Sequence, residues 1–221
     1  MKNFAAMLKP FAMSIALLAI IGIGQGIARA DEITVAGSTA GGFNAQAPGA
    51  TNTLLGLTFN SSTFNETTVN NFLSLGGNPN PPANMNNLGS FTLANTNATY
   101  NGNTFNLRVT FTAPAGITGG NPATFSAILT GSVNAAGQGG VFVDFNNTTM
   151  NFSFSNPNAS GSFTLMVNDV SINPGQTASI TGNIIGSQTA VIPEPATMLL
   201  LGTGLAGVAS RVRKRRKSAE N

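Results

Sequence analysis

The stretch TFNLRVTF, residues 104–111, alternates without a break. Phe105, Leu107, Val109 and Phe111 fall on one side, and Thr104, Asn106, Arg108 and Thr110 on the other. Successive side chains of an extended chain point to opposite faces, so such a segment buries one face as a strand and cannot do so as a helix. The same alternation recurs at residues 53–59, 90–94, 124–130, 141–145, 150–154, 162–167 and 176–185, and no segment of 31–192 sustains a 3.6-residue period. Val141, Val143 and Phe145 share one side of their run, as do Met150, Phe152 and Phe154, and Phe163, Leu165 and Val167. Turn formers separate the runs: Gly76 to Pro82, Gly119-Gly120-Asn121-Pro122, Asn156-Pro157-Asn158 and Asn173-Pro174-Gly175, with Asn101-Gly102 read as a hairpin turn. Strands at roughly ten-residue spacing, each with one apolar face, predict an all-β body, an antiparallel β-sandwich, with a barrel as the rival. Thirteen of the fifteen Phe lie in this body, and most fall on the inward register, as core residues do.

Composition narrows the chemistry. The chain has neither Cys nor His, which excludes disulfides, thiolate and imidazole metal sites, and Ser-His or Cys-His dyads. The body must be held by packing and hydrogen bonding, and at ~150 residues it can bury roughly 70% of its unfolded surface. Residues 31–192 hold one base, Arg108, against Asp31, Glu32, Glu66, Asp144 and Asp169. A phosphate backbone needs clustered cations, so no nucleic-acid partner is expected. A glycosidase needs two carboxyl groups set across a sugar. Here Asp31 and Glu32 sit at a terminus expected to fray, Glu66 in a polar loop-like stretch, and no spacing pairs the acids. With Tyr100 the one other proton carrier, no catalytic residue is assigned, no cofactor is expected, and the body reads as a non-enzyme. Calcium is the remaining metal to weigh. Asp144 with Asn146, and Asp169 with Asn168 and Asn173, offer oxygen ligands near turns, yet no Asp-x-Asp-x-Asp-Gly run exists, and solvated strand-edge acids are the plainer reading. The Asn-x-Ser/Thr triplets at Asn60, Asn65, Asn97, Asn146, Asn147, Asn151 and Asn158 read as Asn-rich turns.

The two ends carry addresses. Residues 1–30 have the order of a Sec-type signal peptide: Lys2 and Lys9, an apolar stretch over 11–23, then Ala28-Arg29-Ala30 as a small-x-small site for signal peptidase, with Asp31 following. An uncleaved anchor is the alternative. At the other end, residues 196–210 form an uncharged Gly-, Ala- and Leu-rich run, shorter than the ~20 residues a bilayer core needs. Its flanks argue for a single transmembrane helix all the same. Pro195 suits a first helical turn and Glu194 the positive end of the helix dipole, while Arg211, Arg213, Lys214, Arg215, Arg216 and Lys217 crowd the negative end. Arg211 can lengthen the span by snorkelling, and the cluster fixes that end in the cytoplasm, leaving the body on the far side of the inner membrane.

Val191-Ile192-Pro193-Glu194-Pro195-Ala196-Thr197, the short helix with Gly202, Gly204 and Gly207, and the basic cluster together resemble the PEP-CTERM sorting signal of bacterial exopolysaccharide producers. The resemblance covers about the last thirty residues, with Pro193, Glu194 and Pro195 as the motif. It implies an exosortase, a membrane cysteine transpeptidase that cuts near the motif and releases or transfers the body outward. The prolines keep the segment extended and accessible, which suits that reading; an anchor that is never cut is the alternative. The stretches LGSFTLANTNATYNG, FNLRVTFTAP and GSFTLMVNDVSINPGQTASITGNI also resemble choice-of-anchor ectodomains, which implies a displayed β-sandwich without catalytic residues. The expected organisation is a signal peptide at 1–30, a β-sandwich ectodomain at 31–188 and a sorting signal at 189–217 (motif 193–195, helix 196–210, basic tail 211–217). The expected protein is exported, transiently anchored in the inner membrane, then placed at the cell surface or in the matrix, with a structural or adhesive role among exopolysaccharide. A carbohydrate-binding surface module and a membrane-retained envelope protein are the alternatives.

Overall fold

The computed structural model describes residues 32–47, 49, 52–76, 86–190 and 204–205. Between 32 and 190 every regular element among them is a β-strand, and every pairing is antiparallel. In chain order the strands are β1 (Thr34–Phe43), β2 (Thr53–Leu54), β3 (Leu57–Asn60), β4 (Thr63–Thr67), β5 (Phe72–Leu75), β6 (Ser90–Leu93), β7 (Ala98–Thr99) and β8 (Thr104–Ala113). There follow β9 (Ile117–Thr118), β10 (Ala123–Val133), β11 (Gly139–Phe145), β12 (Met150–Ser155), β13 (Ala159–Val167), β14 (Val170–Ile172), β15 (Thr177–Ser179) and β16 (Gly182–Ala190).

They form three sheets. The largest runs β14-β11-β10-β8-β1-β4, with β7 paired to β10; the second is β5-β16-β13-β12-β9 and the third β15-β6-β3-β2. The alternation of residues 104–111 fixes how the large sheet faces. On β8, Phe105, Leu107, Val109 and Phe111 are buried, and on β10 so are Ala123, Phe125, Ala127 and Leu129, while Thr104, Arg108, Thr124 and Ser126 are exposed. The buried face meets both smaller sheets. Phe105 packs edge-on to Phe91 of β6 with centroids 4.8 Å apart and tilts on Phe59 of β3 at 5.1 Å. Three repeats of the pleat further on, Phe111 packs edge-on to Phe152 of β12 at 4.8 Å and Phe163 of β13 at 4.9 Å. Each buried ring contributes about 1.5–3 kcal/mol by leaving water, and edge-on pairs add roughly 0.5–1.5 kcal/mol.

A sandwich of two facing sheets is thus refined: the second layer is split in two. The split occurs where the run 176–185, read as one strand, changes sheet. β15 pairs with β6, β16 pairs with β13 and β5, and Ile180-Thr181 lies between them. Gly182 is packed so closely there that a Cβ would meet Leu88 Cδ1 at 2.7 Å and the Met166 carbonyl at 2.9 Å. The run 53–59 is likewise two strands, closed by a turn with Leu55 at φ 52° and Gly56 at φ 88°, as a two-residue hairpin requires. Asn101-Gly102 does form a turn, with Gly102 at φ 83° and Asn103 N–H donating to the Tyr100 carbonyl at 3.1 Å. It is not a hairpin, because β7 before it pairs with β10 rather than with β8.

β1, β4 and β5 are strands that the alternation does not reveal. β1, TVAGSTAGGF, lies between β8 and β4 in the large sheet. Its glycines make room for rings. A Cβ on Gly41 would sit 2.4 Å from Phe105 Cζ and 2.8 Å from Phe59 Cδ1, and one on Gly37 would sit 2.6 Å from Phe64 Cζ. Eleven of the thirteen body Phe are buried; Phe72 and Phe142 are the exceptions.

Candidate functional site

The charged residues of the body are dispersed. Glu32, expected to fray, is held: Thr68 Oγ1 donates to Glu32 Oε2 at 2.7 Å and Asn70 N–H to Oε1 at 2.8 Å. The Thr68 hydroxyl, with the Asn70 and Asn71 amides, keeps this carboxyl below its ordinary range against an opposing desolvation. The partners stand 36 residues apart, so no local spacing discloses the contact. Glu66 lies on β4, opposite Val35, rather than in a loop, and accepts a hydrogen bond from Asn86 Nδ2. Tyr100 is fully buried and donates to the Leu55 carbonyl at 2.7 Å; burial pushes its hydroxyl above the usual tyrosine range. That is the geometry of a structural tyrosine.

Asp144 is exposed on β11, on the side away from the core. Asp169, between β13 and β14, accepts the Phe145 N–H at 2.9 Å and so reaches the peptide that joins Asp144 to Phe145. Asn146 and Asn173 are exposed, and Asn168 instead donates to Thr181 Oγ1 at 2.9 Å. Among the described residues no three acidic side chains gather as a metal site would need.

The outward face of the large sheet carries a shallow depression of about 350 Å³ lined by Thr104, Asn106, Ser126, Ile128, Asp144 and Asn146, with Ala127 and Phe145 at its floor. Register places Thr104, Ile128 and Asp144 in one row and Asn106 with Ser126 in the next. Ser126 Oγ donates to Asn106 Oδ1 at 2.8 Å, which orients that amide. Ile128 and Phe142 are exposed on the same face. Sequence alone marks both as outward by alternation, but not as neighbours.

The carboxyl end of the body is the second feature. β16 runs beside β13 from Val167↔Gly182 to Ala159↔Ala190. The expected boundary at 188 therefore falls inside this strand. Pro193, Glu194, Pro195 and the basic cluster Arg211, Arg213, Lys214, Arg215, Arg216 and Lys217 lie outside the described residues, as do Ala28 and Ala30. Of the expected helix 196–210 only Gly204 and Leu205 are described, both helical and exposed. No helix among the described residues is long and apolar enough to cross a membrane.

An all-β body whose last strand leads straight into a short tail is the class of molecule that this geometry defines. Residues 191–216 of that tail match the family described as the PEP-CTERM protein-sorting motif. The match starts at the residue after β16. It indicates an exported chain targeted to an exosortase and carried to the cell surface by way of a transient membrane anchor. No curated protein and no solved structure matches the chain.

Proposed function

We propose that the protein is a non-catalytic extracellular component that an exosortase releases from the inner membrane and that serves a structural or adhesive role in a polysaccharide matrix. The observation that carries this reading is the junction: an all-β body whose described strands run to Ala190, followed at once in sequence by the sorting motif over 191–216. An outward face mostly of hydroxyls and amides, with Arg108 and Asp144 among its few charges, hydrates the body and suits a polymer of neutral hydroxyl groups. The dispersal of Glu32, Glu66, Asp144 and Asp169 over different strands and loops supports a body without catalysis. Mass spectrometry of the secreted fraction tests the processing. A C-terminal peptide ending near Pro193 is expected; intact chains containing Ser210, recovered from membranes alone, would overturn it.

The depression beside Ile128 and Phe142 favours a second reading, a carbohydrate-binding module with a defined ligand. An apolar platform flanked by an oriented amide and a carboxylate is the composition of a small-ligand site. Affinity electrophoresis against neutral polysaccharides separates the two readings. A Phe142→Ala change that abolishes retardation supports the module, and retardation indifferent to it returns the role to the general surface.

A further inference from the structure

The second sheet ends unevenly. β13 accompanies β16 along its whole length, whereas β5 covers only Gly182, Asn183, Ile184 and Ile185. Gly186 N–H then donates to the Asn71 carbonyl at 3.0 Å, and beyond it residues 187–190 have no strand on that side among the described residues. Exposed edges are ordinarily blunted by charge, proline or a bulge. Ser187, Gln188, Thr189 and Ala190 include neither a charge nor a proline, and their register with β13 is unbroken.

An apolar patch adjoins this edge. Phe72 is 48% exposed and stands opposite Ile185, 57% exposed, while Val69, 69% exposed, bridges to Phe72. Alternation sets Ile185, Ser187 and Thr189 on one face of β16, so patch and open edge form one surface. That surface is contiguous with the sorting motif. Two residues, Val191 and Ile192, separate Ala190 from Pro193, and the three steps between them span at most about 11 Å, so whatever grips the motif has the edge and the patch within reach.

We propose that this surface is where the sorting peptidase docks: it adds an extended segment of its own to residues 187–190 and rests apolar side chains on Val69, Phe72 and Ile185. The inference builds on the exosortase reading above. Strand addition uses the open row of backbone groups for affinity and the neighbouring side chains for specificity. A bilayer has no matching ladder of donors and acceptors to offer that row, which is why a protein partner is the occupant.

Pulse-chase of the full precursor, in cells that make the peptidase, tests the docking. The Phe72→Ser/Ile185→Thr double variant changes only exposed side chains and is expected to slow conversion roughly fivefold or more. A spacer of about eight Gly and Ser residues between Ala190 and Val191 leaves the body intact and is expected to slow it as well. If accessibility alone governed cleavage, the longer tether would speed conversion or leave it unchanged. Thr124→Ala/Thr130→Ala, exposed on the large sheet, is expected to match wild type. Wild-type conversion of both the double variant and the spacer chain overturns the docking surface. So does a wild-type body that dimerises through Phe72 and Ile185 in light scattering while conversion is indifferent to them, for then a second copy is the occupant. Pro193→Ala/Pro195→Ala separates the two layers of inference. Conversion that survives this change sinks the sorting reading itself, whereas conversion that needs the motif but ignores the patch and the spacer sinks only the docking.

Discussion

Gly41 occupies a position that Phe105 and Phe59 leave no room to fill. Its missing side chain and their rings are one packing decision, made on strands far apart in sequence. Gly41→Ala would push a methyl group to 2.4 Å from a buried ring atom that has nowhere to go. The expected loss is about 2 kcal/mol, which lowers the melting temperature by roughly 4–8 °C for a body of this size; calorimetry of the purified variant measures it. Glu32 illustrates the electrostatic side. Its carboxyl sits below the ordinary range in the fold because Thr68 and the Asn70 and Asn71 amides favour the charged form. A depressed carboxyl stabilises the fold above its unfolded value, and that contribution disappears as pH falls through the folded value. Wild type is therefore expected to melt above Glu32→Gln at about pH 6, with the gap closing toward about pH 3. A gap that does not depend on pH would contradict the assignment. Neither role is legible in the sequence, since each needs a partner supplied by a distant strand. The Pro193-Glu194-Pro195 signal is legible because such an address is written as contiguous residues.

Phe105 and Phe111 lie on one strand, yet they serve two different sheets. The first holds β3 and β6 to the large sheet through Phe59 and Phe91; the second holds β12 and β13 through Phe152 and Phe163. Substitution by Leu keeps an apolar filler but loses the edge-on geometry, at a cost of about 1 kcal/mol each. In native-state hydrogen exchange, Phe105→Leu is expected to raise exchange mainly in β3 and β6, and Phe111→Leu mainly in β12 and β13. Identical patterns would mean that the second layer behaves as a single unit despite its split. β8 was readable because its alternation has strong contrast, aromatic and aliphatic against Thr, Asn and Arg. β1 was not, because Gly, Ser, Thr and Ala carry almost no such contrast, although the strand is paired on both sides in the large sheet, to β8 and to the edge strand β4. The run 176–185 misled for another reason. Both β15 and β16 alternate, and nothing local records that they join different neighbours.

At the scale of the whole molecule, the order of strands in space differs sharply from their order in the chain. The second sheet is built from β5, β9, β12, β13 and β16, with the final strand between β5 and β13. Removing β16 therefore strips β13 of a partner along its full length and β5 of its neighbour. A chain ending at Ala190 is expected to give the cooperative melt of the full body, whereas one ending at Thr181 is expected to lack it in circular dichroism and to be digested quickly by protease. A cooperative melt in the shorter chain would show that the remaining strands close without it. Synthesis and export deliver a polypeptide from its amino end, so the domain stays open until its keystone arrives. A product interrupted before that strand never closes, whereas a closed body already holds in place the strand from which its postal label follows.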